Sequence, residues 1–225
     1  MRRVLYWLSD YAHVARGWAS MYWHRNPPKH YLGHIVKGKA PVILIPGITN
    51  KWAFLKKLGD KISLEGHPVY IVPKLGHNLT DIPTSAKIVE DVIDKNHLND
   101  VTIVAHSKGG LIAKYLLVHD KRVNKLIAIA TPFSGSHFAR AFILKSFKEL
   151  SPASKIITDL NMNEEINKRI ISLIPVFDNH VWHKSGSYLK GAQNIKVDIH
   201  GHHKILFSEE LSQKVLDLIK AQAQE

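Results

Sequence analysis

The sequence predicts an α/β fold in which helices cover a parallel β-sheet. Three observations lead to this prediction. From residue 41 onward, short apolar runs alternate with segments of helical periodicity, a pattern typical of βαβ units. The run PVILIP at 41–46 is uninterrupted, as expected for a strand that is buried on both faces. The chain of 225 residues, with 45% hydrophobic and 22% charged residues, is long and apolar enough for one large domain and excludes a disordered or collagen-like chain.

The predicted elements follow one another in a regular order. Strands are predicted at 41–46, 67–73, 101–105, 123–130, 170–177 and 194–200. Apolar residues at three-to-four spacing predict helices at 52–64, 85–96, 108–119 and 209–221. Between the fourth and fifth strands, residues 132–168 have no regular pattern and are expected to be irregular and partly helical.

Composition excludes several classes of site. The absence of cysteine removes disulfides, thiolate nucleophiles and zinc sites with cysteine ligands. No stretch reaches the roughly 18–20 apolar residues of a membrane span, and the run at 4–8 is too short for a signal-peptide core. No glycine-rich phosphate loop is present, so no nucleotide cofactor is expected. We therefore expect a soluble, cytoplasmic protein that needs no cofactor.

The first 39 residues form a separate region, an amphipathic helix at 3–24 followed by a linker rich in proline and glycine. Residues 1–40 hold seven basic residues and one acidic residue, against a net charge of +12 for the whole chain. The apolar positions recur at helical spacing: Val4, Trp7, Tyr11, Val14, Trp18 and Met21. This stripe could lie on a membrane surface or pack on the core or on a second subunit, and packing is the more common role of such a stripe. Nucleic-acid binding is not expected, because no such module is recognisable.

The most informative segment is VTIVAHSKGG at 101–110. A buried strand ends, Ser107 follows, and two glycines open a helix. A nucleophilic serine needs an exposed, sharply bent position with small residues two places before and after it. Ala105 and Gly109 occupy those places, with alanine in the position of the first glycine of G-x-S-x-G. The alternative is that Ser107 only caps the helix.

Two further features fit nucleophilic chemistry at Ser107. The strand at 41–46 ends in Pro-Gly, so the backbone N–H groups of Ile48 and Lys108 are candidates for an oxyanion hole. Asp178 and His202 each follow a predicted strand, and the order serine, acid, histidine is that of the α/β-hydrolases. His203 is the rival of His202. Among other acids, Asp198 lies on the strand that leads to His202 and is poorly placed to orient it, whereas Asp159 and Asp120 are expected to be solvated.

The chain resembles the small bacterial lipases and esterases of the α/β-hydrolase superfamily over about residues 40–221. The resemblance rests on AHSKG at the elbow, Gly47-Ile48 in the oxyanion loop, and the segments FDNHVW…LKGAQNIKV and GHHKILFSEEL. It implies Ser107, Asp178 and His202, rather than His203, as the catalytic residues. It also implies an α/β-hydrolase fold, with a mostly parallel sheet, helices on both faces and a small helical cap, over residues 40–225.

The resemblance further implies hydrolysis of a small-molecule or lipid carboxylic ester. An acyltransferase or amidase using the same residues is the alternative within enzymes. A non-catalytic, membrane-associated binding module is the alternative outside them. Insertions at the position of 132–168 often cover the acyl pocket in this superfamily, so Phe138, Phe142 and Phe147 are expected to line it, with Ile143 on the same helical face.

Histidines raise the question of a metal site. Five of the fifteen lie close together in the sequence: His180, His183, His200, His202 and His203. Among these five histidines, no H-x-x-x-H or H-E-x-x-H spacing is present, and a chelating His200-x-His202 pair would occupy the proposed base. No metal is expected.

Overall fold

A computed structural model describes residues 2–182 and 186–221. Its centre is a six-stranded sheet in the order β2-β1-β3-β4-β5-β6, in which all neighbouring strands are parallel. The strands are β1 (Val42–Ile45), β2 (Val69–Ile71), β3 (Val101–His106), β4 (Val123–Ile129), β5 (Ile170–Phe177) and β6 (Gln193–His200). The predicted α/β fold with a parallel sheet is confirmed.

Eight α-helices surround this sheet in the described part of the chain. They are α1 (Arg2–Trp23), α2 (His30–Gly33), α3 (Lys56–Leu64), α4 (Ile82–Lys95), α5 (Lys108–His119), α6 (Lys145–Lys148), α7 (Lys155–Met162) and α8 (Glu209–Lys220). One apolar core joins the sheet to α4, α5 and α7, and a second joins its other face to α2, α3 and α8. Helices therefore cover both faces, as expected.

The strand register places the carboxyl ends of the strands along one edge of the sheet. Ile45 at the end of β1 pairs with Ala105 in β3, and Ala105 pairs with Ala128 in β4. On the other side, Phe177 at the end of β5 pairs with His200 at the end of β6. The loops that follow these strands lie at the same edge, where ligands usually bind in open parallel sheets.

The segment between β4 and β5 is less helical than expected. Residues 137–150 were predicted to present four apolar residues on one helical face, but they form a 3₁₀ helix at His137–Ala141 and the four-residue α6. Ile143 lies between them and is 89% exposed, so its placement among the inward residues is wrong. The segment therefore consists of two short helices joined by irregular backbone rather than one helix with a single inward face.

Helix α1 packs with only part of the face that was expected. Its buried residues are Asp10, Val14 and Gly17, whereas Tyr11 and Trp18, two members of the predicted inward stripe, are exposed. The predicted stripe is therefore divided: Val14 is buried and Met21 packs against the core, whereas Tyr11 and Trp18 face solvent. Part of the predicted linker is also ordered, because α2 buries Tyr31, whose hydroxyl donates to the Lys56 carbonyl over 3.3 Å.

None of the helices in the described ranges combines the length and the apolar character needed to cross a membrane.

Candidate active site

Ser107 lies in a sharp turn between β3 and α5. Its backbone has φ 53° and ψ −125°, a conformation that residues other than glycine rarely adopt. Its side chain does not cap α5, so the alternative interpretation of Ser107 as a simple N-cap is wrong. Such strain at the end of a central strand is typical of a nucleophile elbow.

Close backbone approaches on both sides of the turn require glycine. A Cβ on Gly109 would lie 2.5 Å from the Ile45 carbonyl oxygen, so α5 could not reach β1 with a larger residue there. A Cβ on Gly47 would lie 3.1 Å from Cβ of Ser107 and 2.9 Å from Nδ1 of His106. The loop after β1 is thus pressed directly against Ser107.

The two predicted oxyanion donors flank this contact. Ile48 follows Gly47 in a turn completed by Thr49, which has φ 64°. Lys108 is the first residue of α5, where backbone N–H groups have no partner within the helix. Within residues 2–182 and 186–221, neither of these N–H groups donates to another backbone carbonyl. Both remain available for a ligand next to Ser107.

The side chain of Lys108 is fully buried and ties the loop before α4 to the elbow. Its Nζ donates to the carbonyl oxygens of Asn78, over 3.1 Å, and Thr80. Asn78 in turn donates from Nδ2 to the Pro46 carbonyl over 2.8 Å. Burial lowers the pKa of Lys108 to about 8, against the opposing charge of Glu149. The sequence analysis considered only the N–H of Lys108 and missed this support of the loop that follows β1.

Asp178 and His202 form a direct pair. The Oδ2 atom of Asp178 lies 2.8 Å from Nδ1 of His202, and its Oδ1 accepts the N–H groups of His180 (2.8 Å) and Val181 (2.9 Å). In the described ranges, the hydrogen bonds of His202 go to Asp178, Asn179 and His106, and none joins it to Ser107. Catalytic hydrogen bonds are often open before substrate binds.

The pair is tuned in the direction that general base catalysis needs. Burial acts to lower the pKa of His202, but the charge and hydrogen bond of Asp178, together with the charge of Asp10, raise it above its ordinary value. Burial acts to raise the pKa of Asp178, but His202 and the two backbone N–H groups hold it below its ordinary value. Asp178 therefore stays ionised and stabilises a protonated His202.

A second carboxylate, Asp10 of α1, holds the loop that carries His202. Its Oδ1 accepts the N–H groups of His203 (2.7 Å) and Lys204 (2.8 Å). Its Oδ2 accepts from Nδ2 of Asn179 over 3.0 Å, and Oδ1 of Asn179 accepts the N–H of His202 over 3.0 Å. Asp10 is completely buried. Thus α1 is connected to the backbone of His202 through two side chains.

The sequence analysis missed Asp10 and Asn179. Two signals were available: Asp10 is the one acid among the first 40 residues, and Asn179 adjoins Asp178. Neither signal identifies a partner, because the partners of Asp10 are separated from it by 169 to 194 residues of sequence.

His203, the rival base, has a weaker carboxylate contact than His202. Its Nδ1 lies 3.4 Å from Oδ2 of Asp10, compared with 2.8 Å between His202 and Asp178. Burial lowers the pKa of His203, although Asp10 opposes this. The neighbouring His106 is completely buried and donates from Nε2 to the His202 carbonyl over 2.9 Å. Burial holds the pKa of His106 well below its ordinary value, so it packs as a neutral side chain.

Three of the imidazoles were tested as a metal site. Ring nitrogens of His180, His202 and His203 lie within 4.8 Å of one another. The rings of His180 and His202 are stacked, with centroids 4.9 Å apart and planes inclined by 14°. The Nδ1 atom of His202 already contacts Oδ2 of Asp178, so an ion shared by the three rings would need Nε2 of His202. An ion there would occupy the atom that the candidate base needs for proton transfer. His183 lies outside the described residues.

The predicted pocket residues form a continuous series of aromatic contacts that reaches His202. Phe147 stacks on Phe142 at 4.2 Å, Phe142 contacts Phe138 at 5.2 Å, and Phe138 stacks on His180 at 4.8 Å between centroids. His180 in turn stacks on His202. Phe138 and Phe142 are half-buried and Phe147 is buried. The structure thus brings the aromatic residues of the cap next to the candidate base.

The other acids are occupied elsewhere. Asp198 is exposed on β6, and Asp159 pairs with Lys155 at 2.7 Å. Asp120 is buried rather than solvated, and it pairs with Arg122 at 2.8 Å.

Comparisons with known proteins agree with this architecture. Residues 40–152, half of the chain, match the family described as the alpha/beta hydrolase fold. A search of curated proteins finds no match. The mature form of lipase BlEst2 from Bacillus licheniformis is 14% identical, with 86% of this chain and 96% of that chain covered and a TM-score of 0.67.

Two further solved structures are similar. The enol-lactonase from Burkholderia xenovorans LB400 is 13% identical, with 87% and 94% coverage and a TM-score of 0.60. A putative aryl esterase from Burkholderia cenocepacia is 14% identical, with 85% and 94% coverage and a TM-score of 0.60. At these identities, the likeness shows the fold.

Proposed function

Because the chain belongs to the α/β-hydrolase fold family, we propose that it hydrolyses carboxylic esters through an acyl-enzyme on Ser107. The observation that carries the proposal is the Asp178–His202 pair, with its 2.8 Å contact, at the same sheet edge as the strained turn at Ser107. The names of similar structures, a lipase and a putative aryl esterase, support an ester rather than another acyl compound.

In the proposed mechanism, Oγ of Ser107 attacks the carbonyl carbon and its proton passes to Nε2 of His202. The N–H groups of Ile48 and Lys108 bind the oxyanion of the tetrahedral intermediate. The intermediate collapses, and the departing alcohol takes the proton from His202. Water then attacks the acyl carbon while His202 accepts its proton, and Ser107 leaves and regains a proton. Asp178 keeps the imidazole oriented and stabilises its charged form throughout.

A series of p-nitrophenyl esters of increasing acyl length, with matched anilides, tests the proposed reaction. We expect ester hydrolysis well above that of a Ser107→Ala variant, and slow anilide cleavage. Anilide cleavage as fast as ester cleavage would make the protein an amidase. Transfer of the acyl group to an added alcohol in preference to water would make it an acyltransferase. No turnover of any substrate would favour a non-catalytic binding module.

The aromatic series predicts which residues set the acyl-length preference. Phe142→Ala removes the ring that links Phe138 and Phe147, so we expect the optimum of kcat/KM in the ester series to move to longer acyl chains. Ile143→Ala is the matched control, because Ile143 is adjacent in sequence but 89% exposed. An unchanged acyl-length profile in Phe142→Ala, with only thermal stability reduced, would return the segment to a structural role.

Asp10 is predicted to act as a positioning residue. Asp10→Asn replaces an acceptor by a donor that faces Nδ2 of Asn179, so we expect kcat/KM to fall on the order of 10²-fold through displacement of His202. The acid limb of the pH profile should also move. Neutral His202 is the active form, so activity rises with pH through its pKa, which Asp10 helps to hold above its ordinary value of 6.5. Loss of the negative charge lowers that pKa and shifts the limb to lower pH.

The measurement is kcat/KM against pH, with the released acid quantified by chromatography because the colour of nitrophenol itself depends on pH. Val14→Ala is the control, since Val14 is buried on the same face of α1 but carries no charge. It should lower stability without moving the limb. If Asp10→Asn lowers activity only in proportion to the folded fraction, with the limb unmoved, Asp10 has a purely structural role.

A further inference from the structure

The side of α1 that faces solvent carries several exposed apolar side chains. Five residues define this outer face: Val4, Leu8, Tyr11, Trp18 and Tyr22. Their spacings of four, three, seven and four residues keep them on one side of the helix, and they are 61%, 64%, 43%, 49% and 76% exposed. Ala15 fills the gap between Tyr11 and Trp18 and is also exposed. An apolar stripe therefore runs along most of a 22-residue helix.

Apolar residues lie on both sides of α1, and its inner side is not purely apolar. The inner face includes polar residues, with Asp10 completely buried and His13 and Ser20 half-buried. Since the hydrogen bonds of Asp10 fix the rotation of α1, the apolar stripe is held in water. Contiguous exposed apolar surface of this kind marks an interaction site.

The stripe continues toward the candidate active site. Tyr11 contacts His180 at 5.9 Å between ring centroids, and Trp7 on α1 contacts Trp182 at 6.1 Å. Trp182 is 45% exposed and contacts Phe138 of the predicted pocket at 5.2 Å. An apolar surface thus extends from α1 to the aromatic residues beside His202.

Charge identifies the kind of partner. Arg2, Arg3, Arg25 and Lys29 lie at the two ends of α1 and just beyond it, and all are exposed. Over residues 2–182 and 186–221, none of the four forms a salt bridge. Basic residues around an apolar, tryptophan-bearing helix face are suited to anionic lipid. A second copy of the chain, at net charge +12, would bring like charges together.

We propose that the outer face of α1 docks on an anionic lipid surface. The helix lies parallel to that surface, with Trp18 at the level of the headgroups and the arginines against lipid phosphates. Docking in this orientation brings the aromatic cap next to the lipid, so that an ester dissolved in the membrane lies close to Ser107. The docking itself does not require the proposed ester hydrolysis.

Flotation with vesicles tests the docking. The Ser107→Ala variant is used, so that hydrolysis cannot alter the lipid. We expect the protein to float with vesicles of mixed phosphatidylcholine and phosphatidylglycerol, to bind phosphatidylcholine alone more weakly, and to be released as salt rises. Tryptophan emission should shift to the blue on binding, because Trp18 leaves water.

Paired variants localise the contact. Leu8→Glu should weaken vesicle binding by about tenfold or more, whereas Leu64→Glu should not, although Leu64 at the end of α3 is also a helical leucine with 64% exposure. Arg2→Glu with Arg3→Glu should weaken binding on the order of tenfold. The control with the same charge change is Lys121→Glu with Lys214→Glu, at exposed sites away from α1.

Three results would overturn the proposal. The first is absence of binding to the anionic vesicles at low salt. The second is an equal effect of Leu8→Glu and Leu64→Glu. The third is a dimer in solution that Leu8→Glu dissociates, in a protein that does not bind vesicles, because the outer face would then contact a second copy. Absence of esterase activity in the original protein, with vesicle binding intact, would instead contradict only the proposed function.

Discussion

Replacement of Ser107 by alanine is expected to abolish ester hydrolysis while the protein stays folded. Loss of one member of a nucleophile–base–acid unit typically lowers kcat on the order of 10⁴–10⁶-fold. The fold should be retained because the Ser107 side chain does not cap α5, so alanine removes no such bond. The measurement is kcat for a short-chain p-nitrophenyl ester, together with the thermal unfolding midpoint.

The control for Ser107→Ala is the unfolding midpoint itself, which should stay close to that of the original protein. A Ser107→Ala variant that keeps a tenth of the activity, with the same substrate preference, would contradict the proposed mechanism. If Ser107→Ala loses its activity and also no longer shows a cooperative unfolding transition, the elbow has a structural role instead.

Replacement of His202 by alanine is expected to lower activity as severely as Ser107→Ala, whereas His203→Ala should keep most of it. His202 has the 2.8 Å contact with Asp178 and a raised pKa. His203 contributes its backbone N–H to Asp10, and alanine retains that bond. Because His203 is buried, its loss should lower the unfolding temperature more than kcat. Steady-state kinetics of both variants at one pH separates the two histidines.

The opposite result, an active His202→Ala and an inactive His203→Ala, would identify His203 as the base and Asp10 as its acid partner. Addition of imidazole sharpens the comparison, since a small external base should partly restore His202→Ala but not a variant whose defect is in folding.

Features with a local cause were predictable from the sequence. The bounds of α5 and β5 match the prediction because the sequence pattern changes at their ends. Helix α5 begins directly after Ser107, and β5 ends directly before Asp178. The start of α4 was placed three residues late. It begins at Ile82 because Asp81 accepts the N–H of Thr84 over 2.9 Å, and the proline that follows Ile82 lies in the first turn, where a helix tolerates it.

Features fixed by distant contacts were not predictable. The apolar periodicity of α1 is real, but its rotation is set by Asp10, whose partners lie beyond residue 178. A hydrophobic pattern identifies a helix face without saying whether that face meets protein, lipid or water. Likewise, Asn78 donates to the Pro46 carbonyl and accepts from Lys108 through its own carbonyl. These contacts join loops whose sequences show no helix or strand periodicity, so no pattern predicts them.

Covalent labelling tests the central claim most directly. A fluorophosphonate reacts with an activated serine and not with an ordinary one. Incubation of the folded protein with the probe, followed by intact mass measurement and peptide mapping, should give a single adduct on Ser107, with none in Ser107→Ala and slow labelling in His202→Ala. Ester hydrolysis by a protein that stays unlabelled, or that carries its adduct on another residue, would contradict the account.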